Sequence, residues 1–320
     1  MTPREAGRGS VMGALVGDAA GARLEFTGKP GRSEVKDALA MLGGGCWRTA
    51  PGQITDDGEM AMCLMHALAG AASFSIERVA EMYLRWFKSL PFDMGRTTRN
   101  GISAALGRPA GQLHLAMWRA SKRDNMGSKA NGSLMRIAPL GAWGHRLSEE
   151  ELVDAARMDS RLTHPHPTCQ DCAAVYCAAI RHLVHNPMDS EGAFRTAVEW
   201  SQRLEDKEVQ AWLSSAQRNE DVGYEPRSGF VKYGFVHAFR HLKCRSSYLD
   251  ALFETLSGGG DTDTNAAIVG GLVGAFHGEG GIPAPLREAV LDCDTRKGRS
   301  RPEFLQTSTQ LPSLLERLLE

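Results

Sequence analysis

Apolar residues in this chain recur at helical spacing, and the long alternating runs of β-branched residues that a sheet-based core needs are missing. Ile76, Val79, Tyr83, Trp86 and Phe87 fall on one helical face behind Ser75, a fitting N-cap. Ser148 with Glu151, Thr168 with Asp171, and Ser247 with Asp250 have the spacing of capping boxes, and each opens a segment rich in Ala, Leu or Val. The spacing therefore predicts an all-α fold. Breaks at 28–31, 43–51, 107–111, 185–187, 223–229 and 278–285 are loop-sized, none a linker, so residues 1–320 read as one domain. Gly270, Gly271 and Gly274 read as positions of close helix packing. After Asp294 a solvated basic loop with Arg296, Lys297, Arg299 and Arg301 is expected. A packed terminal helix follows it, carrying Leu311, Leu314, Leu315, Leu318 and Leu319.

With 37 basic and 38 acidic residues the formal charge is −1, so no global field draws the chain to nucleic acid or to an acidic membrane. No apolar run reaches the ~18 residues of a membrane helix. The N-terminus lacks the pattern of a secretory signal, and seven scattered cysteines fit reduced thiols, so a cytoplasmic location is expected. His164, His166, Cys169 and Cys172 are zinc-like in type, but Pro165, Pro167 and a helix start at Thr168 obstruct tetrahedral closure. The cysteines read as packed thiols.

Two acidic clusters carry the strongest chemical signal. Thr55-Asp56-Asp57 precedes the helical run Glu59 to Gly70, and Asp261-Thr262-Asp263-Thr264, behind Gly258-Gly259-Gly260, precedes Asn265 to Gly278. Brought together they would place four carboxylates and up to three hydroxyls around one point, an all-oxygen set suited to Mg²⁺, Mn²⁺ or Ca²⁺. The bland alternative is four ordinary N-caps. Glu25 lies between apolar Leu24 and Phe26, where burial would raise its pKa, and Asp93 follows Pro91-Phe92. The short polar segment Asn131 to Arg136 could cradle a diphosphate with its backbone N–H groups.

These motifs, in this order, resemble the ADP-ribosylglycohydrolase family. Gly13 to Ala19 through Glu25 resembles its opening motif, and Thr55-Asp56-Asp57 and Gly259-Gly260-Asp261-Thr262-Asp263-Thr264-Asn265 its two metal motifs. Phe92-Asp93-Met94-Gly95 resembles a motif of the bacterial branch. Asn131-Gly132-Ser133-Leu134-Met135-Arg136 resembles the ligand loop, with Ala130 where the family has Gly, and Thr163-His164-Pro165 a further site element. The resemblance implies that Thr55, Asp56, Asp57, Asp261, Asp263 and Thr264 ligate two Mg²⁺ or Mn²⁺ ions. It implies that Glu25 and Asp93 do the acid–base work, and that Asn131, Gly132, Ser133, Met135, Arg136, His164, Gly259 and Gly260 contact substrate. The implied reaction releases ADP-ribose from an ADP-ribosylated protein, with an N-glycosidic bond to arginine favoured by the Phe92 motif. A capture or toxin-immunity role, another ADP-ribose linkage and a two-metal phosphoesterase are the alternatives.

Overall fold

The computed structural model describes residues 1–204 and 206–320. Its α-helices are α1 (Pro3–Gly21), α2 (Arg32–Leu39), α3 (Asp56–Leu68), α4 (Ile76–Lys88), α5 (Arg96–Ser103), α6 (Leu113–Asp124), α7 (Ala138–Trp143) and α8 (Glu149–Arg161). They continue as α9 (Pro167–His185), α10 (Ser190–Arg203), α11 (Lys207–Gln217), α12 (Val231–Cys244), α13 (Tyr248–Ser257), α14 (Thr262–His277), α15 (Ala284–Leu291) and α16 (Thr307–Leu318). Among the described residues the only β pairing is two isolated bridges, Gly44 with Thr49 and Ala130 with Phe230. The all-α expectation holds, and buried apolar side chains from α1 to α16 join in one contiguous core.

The central feature is the antiparallel pair α1 and α14. Gly9, Gly13, Gly17 and Gly21 recur every four residues and so line one face of α1. Opposite them lie Gly274, Gly270, Ala266 and Asp263: a Cβ on Gly13 would sit 2.2 Å from the Gly270 carbonyl, and one on Gly17 2.1 Å from that of Ala266. The two backbones touch, as the small residues at 270 and 274 predict. This contact runs to Gly21, where a Cβ would meet Asp263 Cα at 2.4 Å, and it fixes the start of α14 against the end of α1. Gly17→Val would force the helices apart, at a cost of about 1–3 kcal/mol for overpacking. The expected result is a melting temperature lower by several degrees together with reduced activity, measured by calorimetry and turnover on one preparation.

Helix boundaries differ from expectation where the chemistry lies. Helix α3 begins at Asp56 and α14 at Thr262, so both acidic clusters sit in the first turns rather than ahead of them. Ser148 and Glu151 form the expected capping box, and Ser247 caps α13. Helix α9 instead starts at Pro167 with His166 as N-cap, because a first-turn proline loses no hydrogen bond there; Thr168 turns its hydroxyl to Asp206. The basic tail is not simply solvated. Arg301 is buried, its Nε 2.6 Å from Glu59 Oε1 and its Nη2 2.7 Å from Ser89 Oγ, which pins the segment before α16 to α3.

Candidate metal centre and cleft

Burial leaves the α3 terminus without water, so its orphan N–H groups need protein acceptors. Asp18, from the last turn of α1, supplies them: its Oδ2 accepts from Thr55 N at 2.9 Å and Gly58 N at 2.8 Å, and its Oδ1 accepts from Thr55 Oγ1 at 2.7 Å. Thr55 and Asp261, the N-cap residues of α3 and α14, make no side-chain capping bond of their own. Because Asp18 caps α3 from another helix, Asp56 and Asp57 are free of that task. Four ordinary caps do not account for the clusters.

The carboxylates converge instead. Asp18, Asp57 and Asp263 offer oxygens within 4.8 Å of one another, as do Glu25, Asp93 and Asp263. Thr55 Oγ1 lies 3.4 Å from both Asp57 Oδ2 and Asp263 Oδ2, and Thr264 Oγ1 lies 3.3 Å from Asp57 Oδ2. Asp57 Oδ1 is buried with no hydrogen-bond partner. A buried, unpartnered carboxylate oxygen beside like charges costs free energy unless a cation pairs with it. The donor set is entirely oxygen, so hard divalent cations fit it. Among the described residues no His or Cys joins these groups, and Cys169 packs its thiol toward the Ser128 and Ala130 carbonyls at 3.7 and 3.4 Å, so no zinc cluster forms.

Above this floor lies a cleft of about 280 Å³. Of the expected site residues, Glu25, Asp56, Asp93, Asp261, Asp263 and Thr264 line it on the acidic side, and Asn131, Gly132, Met135 and His164 on the other. Thr55 and Asp57 sit behind it, fully buried. Asn131 Nδ2 donates to Asp261 Oδ2 at 2.8 Å, and Asn131 N donates to Gly229 O at 3.0 Å, which holds the loop across the cleft. Ala130, the departure from the family motif, forms the adjoining β-bridge, a conformation open to any L-residue.

Four expected substrate contacts fall elsewhere. Arg136 is completely buried, ion-paired to Asp159 at 3.0 Å with its guanidinium 4.5 Å over the Tyr83 ring. Ser133 accepts from Ser160 Oγ at 3.0 Å beneath the loop. Gly259 and Gly260, both at φ +74°, turn the chain into α14; a Cβ on Gly259 would lie 2.7 Å from Gly28 O. A motif lists neighbours in sequence, and in a tight loop alternate residues face opposite ways.

His164 depends on Arg136. Arg136 Nη1 donates to Thr163 Oγ1 at 3.0 Å, and the same hydroxyl is hydrogen-bonded to His164 Nδ1 at 2.8 Å. Burial, aided by Arg136, pulls the His164 pKa down to about 3, so the imidazole stays neutral.

Several residues escaped the sequence reading. Asp18 carried a signal, a lone charge inside a run of small apolar residues. Trp47 carried none: its Nε1–H donates to Glu25 Oε2, and its ring lies 6.4 Å from Phe26 and 6.0 Å from Phe92. Thr97, Thr98 and Ser228 complete the cleft from segments with no motif.

In the cation-free protein, burial pushes Asp18 up to about 7, and burial with the neighbouring Asp93 charge pushes Glu25 up to about 8. Asp56, Asp57 and Asp263 are also raised well above the ordinary carboxylate range, by burial and then by one another's charges and those of adjacent carboxylates. Each folded value exceeds the unfolded one, so this stability is complete at low pH and is lost as pH rises through the folded values. Buried histidines act oppositely: burial holds His164 down to about 3 and His241 to about 4, and their contribution is complete above about pH 6.5. Between about pH 6.5 and 8.5 the carboxylate slope therefore prevails, on the order of 1.4 kcal/mol per pH unit for each proton released. Scanning fluorimetry of EDTA-treated protein should show the melting temperature falling across that window, and Mg²⁺ or Mn²⁺ restoring it. A flat or rising cation-free profile would contradict the uncompensated cluster.

An all-helical fold carries a cluster of buried carboxylates under a polar cleft, and the sequence comparison places it in a family. The chain belongs to the ADP-ribosylglycohydrolase family, whose model matches residues 1–319, and it is a hydrolase of that family. It is 30% identical over 286 residues to the ADP-ribosyl-[dinitrogen reductase] glycohydrolase of Rhodospirillum rubrum, covering 86% of this chain and 87% of that protein. It is 28% identical over 301 residues to an ADP-ribosylarginine hydrolase of Pseudomonas putida, covering 91% and 76%. A solved ADP-ribosylglycohydrolase-related protein complex superposes with a TM-score of 0.73 at 23% identity over 99% of both chains, which establishes the likeness of fold.

Proposed function

We propose that this chain is a one-domain, cation-dependent ADP-ribosylarginine hydrolase that frees arginine side chains of cytoplasmic proteins from ADP-ribose. The observation that carries this reading is the convergence of buried carboxylates under one cleft, with Asp57 Oδ1 unpartnered and capping assigned to Asp18. Two divalent ions, Mg²⁺ or Mn²⁺, held by Thr55, Asp56, Asp57, Asp261, Asp263 and Thr264, would supply the Lewis acidity that grips ribose hydroxyls and eases deprotonation of a water.

The chain's own residues do the rest. Hydrolysis breaks the bond from the anomeric carbon to the guanidine nitrogen and puts the water oxygen in its place. One water proton passes to a carboxylate, and the leaving nitrogen gains one. Glu25 and Asp93 suit these transfers, since in the cation-free site burial holds them near about 8 and about 6, so that at neutral pH one keeps a proton and the other is ionised. Trp47 orients the Glu25 carboxylate through its indole N–H. Asn131 and Gly132 bound the side where a diphosphate would lie, and the neutral His164 ring lies beside them.

Arginine is favoured over other linkages by the rim. Phe26, Trp47 and Phe92 form an aromatic ladder beside Asp93, and the Arg299 guanidinium already lies 5.4 Å over the Phe92 ring. A leaving guanidine would meet both a carboxylate and ring faces. The sequence likeness to an ADP-ribosylarginine hydrolase points the same way. The test incubates ADP-ribosyl-arginine and ADP-ribosyl-serine peptides with the protein and Mg²⁺ or Mn²⁺, and follows products by mass spectrometry. Free ADP-ribose from the arginine peptide alone is expected. Release from serine alone would sink the linkage; AMP would indicate a phosphoesterase, and retention without release a capture protein.

A further inference from the structure

Between Gly95 and Arg123 the chain carries six Arg and Lys and no Asp or Glu, in a protein whose overall charge is −1. All six are exposed. Arg123 pairs with Asp124, its Nη2 2.7 Å from Oδ2, but Arg96, Arg99, Arg108, Arg119 and Lys122 have no carboxylate partner among the described residues. The nearest acid in contact with this segment, Glu77, is already occupied by the Gly111, Leu113 and His114 N–H groups. The positive charge is therefore uncompensated.

Its placement is specific. Arg96, in the first turn of α5, lines the cleft, and Ala104, just past the end of that helix, lines a separate groove of about 620 Å³. Eight helical residues at about 1.5 Å each put that groove ~12 Å from the cleft mouth. Its other wall is a face of α6 and its N-cap, with Gln112, Leu115, Ala116, Arg119, Ala120 and Arg123 at helical spacing. Leu115 and the alanines Ala104, Ala116 and Ala120 give the groove apolar patches between the cationic Arg108, Arg119 and Arg123. A polyphosphate strand would want aromatic platforms in such a groove and finds none, whereas an acidic protein segment with interspersed leucines matches both the patches and the cations.

The geometry points to a docking face: the α5–α6 surface holds an acidic, leucine-bearing segment of the modified protein, while its ADP-ribosylated arginine enters the cleft. This rests on the arginine reading given above. About 12 Å corresponds to roughly four extended residues, which sets the distance from the modified arginine at which the acidic segment must begin.

The experiment compares ADP-ribosyl-arginine peptides carrying a Glu-Leu segment four residues to either side of the modified arginine with peptides in which Gln replaces Glu. The enzymes are wild type and the double variant Arg108→Glu/Arg119→Glu, both of whose positions line the groove and neither the cleft. At about 0.05 M salt the acidic peptides should show KM about tenfold lower than the Gln peptides. The difference should vanish at about 0.5 M salt, where the Debye length is a few ångströms, and in the variant. Turnover number and hydrolysis of ADP-ribosyl-arginine itself should not change. Equal KM values in wild type, or a difference that survives in the variant, would overturn the docking face. So would stronger inhibition by single-stranded RNA than by the unmodified Glu-Leu peptide. If wild type fails to cleave ADP-ribosyl-arginine, the linkage reading fails, and binding of the unmodified Glu-Leu peptide, read by fluorescence anisotropy on both proteins, still decides the face.

Discussion

Asp263→Ala should lower release of ADP-ribose at least ~10³-fold while leaving the cation-free protein folded and more stable at about pH 8 than wild type. Asp263 belongs to both carboxylate groups, the one with Asp18 and Asp57 and the one with Glu25 and Asp93. Removing it takes an oxygen from each. It does not uncap α14, because the only bond its carboxylate receives from that helix is from Thr264 N at 2.9 Å, one residue on. The side chain is buried, and burial with the charges of Glu25 and Asp57 raises its pKa well above the carboxylate range. Loss of such a group relieves repulsion that the folded, cation-free protein bears. Activity and stability should thus move in opposite directions, a pattern that a merely structural aspartate would not give. Paired assays decide it: turnover with Mn²⁺, and melting temperature in EDTA. If the variant melts lower than wild type in EDTA, Asp263 is a structural residue first.

Legibility in the sequence follows the range of the forces. Helix starts at Ser75, Ser148 and Ser247 were readable because a cap and the N–H it satisfies are three residues apart. The α1–α14 contact was partly readable, since small residues at a four-residue interval leave a groove wherever they occur. The two acidic clusters stood out as local excesses of charge before apolar runs, and their ordered companions gave the family. What failed was long-range. Asp18 caps a helix that starts 38 residues later; its place as a lone charge in an apolar run marks it as unusual but does not say where its donors lie. Trp47 reaches Glu25 across a loop, and Arg301 plugs into Glu59 from 242 residues away. In each case the side chain leaves its own segment to satisfy a polar group that burial elsewhere created.

Arg136 shows the same physics with the largest consequence for folding, and the expected result is collapse rather than weakened binding. Its guanidinium is enclosed: Nε and Nη2 contact Asp159 Oδ2 at 3.1 and 3.0 Å, Nη2 donates to Asp159 O at 3.1 Å, and Nη1 donates to Gly132 O at 3.3 Å and to Thr163 Oγ1 at 3.0 Å. Tyr83 closes the arrangement, its ring under the guanidinium and its hydroxyl donating to Asp159 Oδ1 at 2.7 Å. Either Arg136→Ala or Asp159→Ala strands an opposite charge in the core, at about 3–5 kcal/mol, a large share of the roughly 5–15 kcal/mol that holds a domain folded. Both variants should melt well below wild type or fail to fold. The double variant Arg136→Ala/Asp159→Ala should lose less than the sum, because no charge is left unpaired. Urea unfolding of the four proteins completes the cycle. The kinetic signature separates this role from ligand contact: in whatever fraction of a milder Arg136→Lys variant folds, KM should stay close to wild type while stability falls. A raised KM with unchanged stability would instead return Arg136 to the substrate side of the loop, where the motif alone had put it.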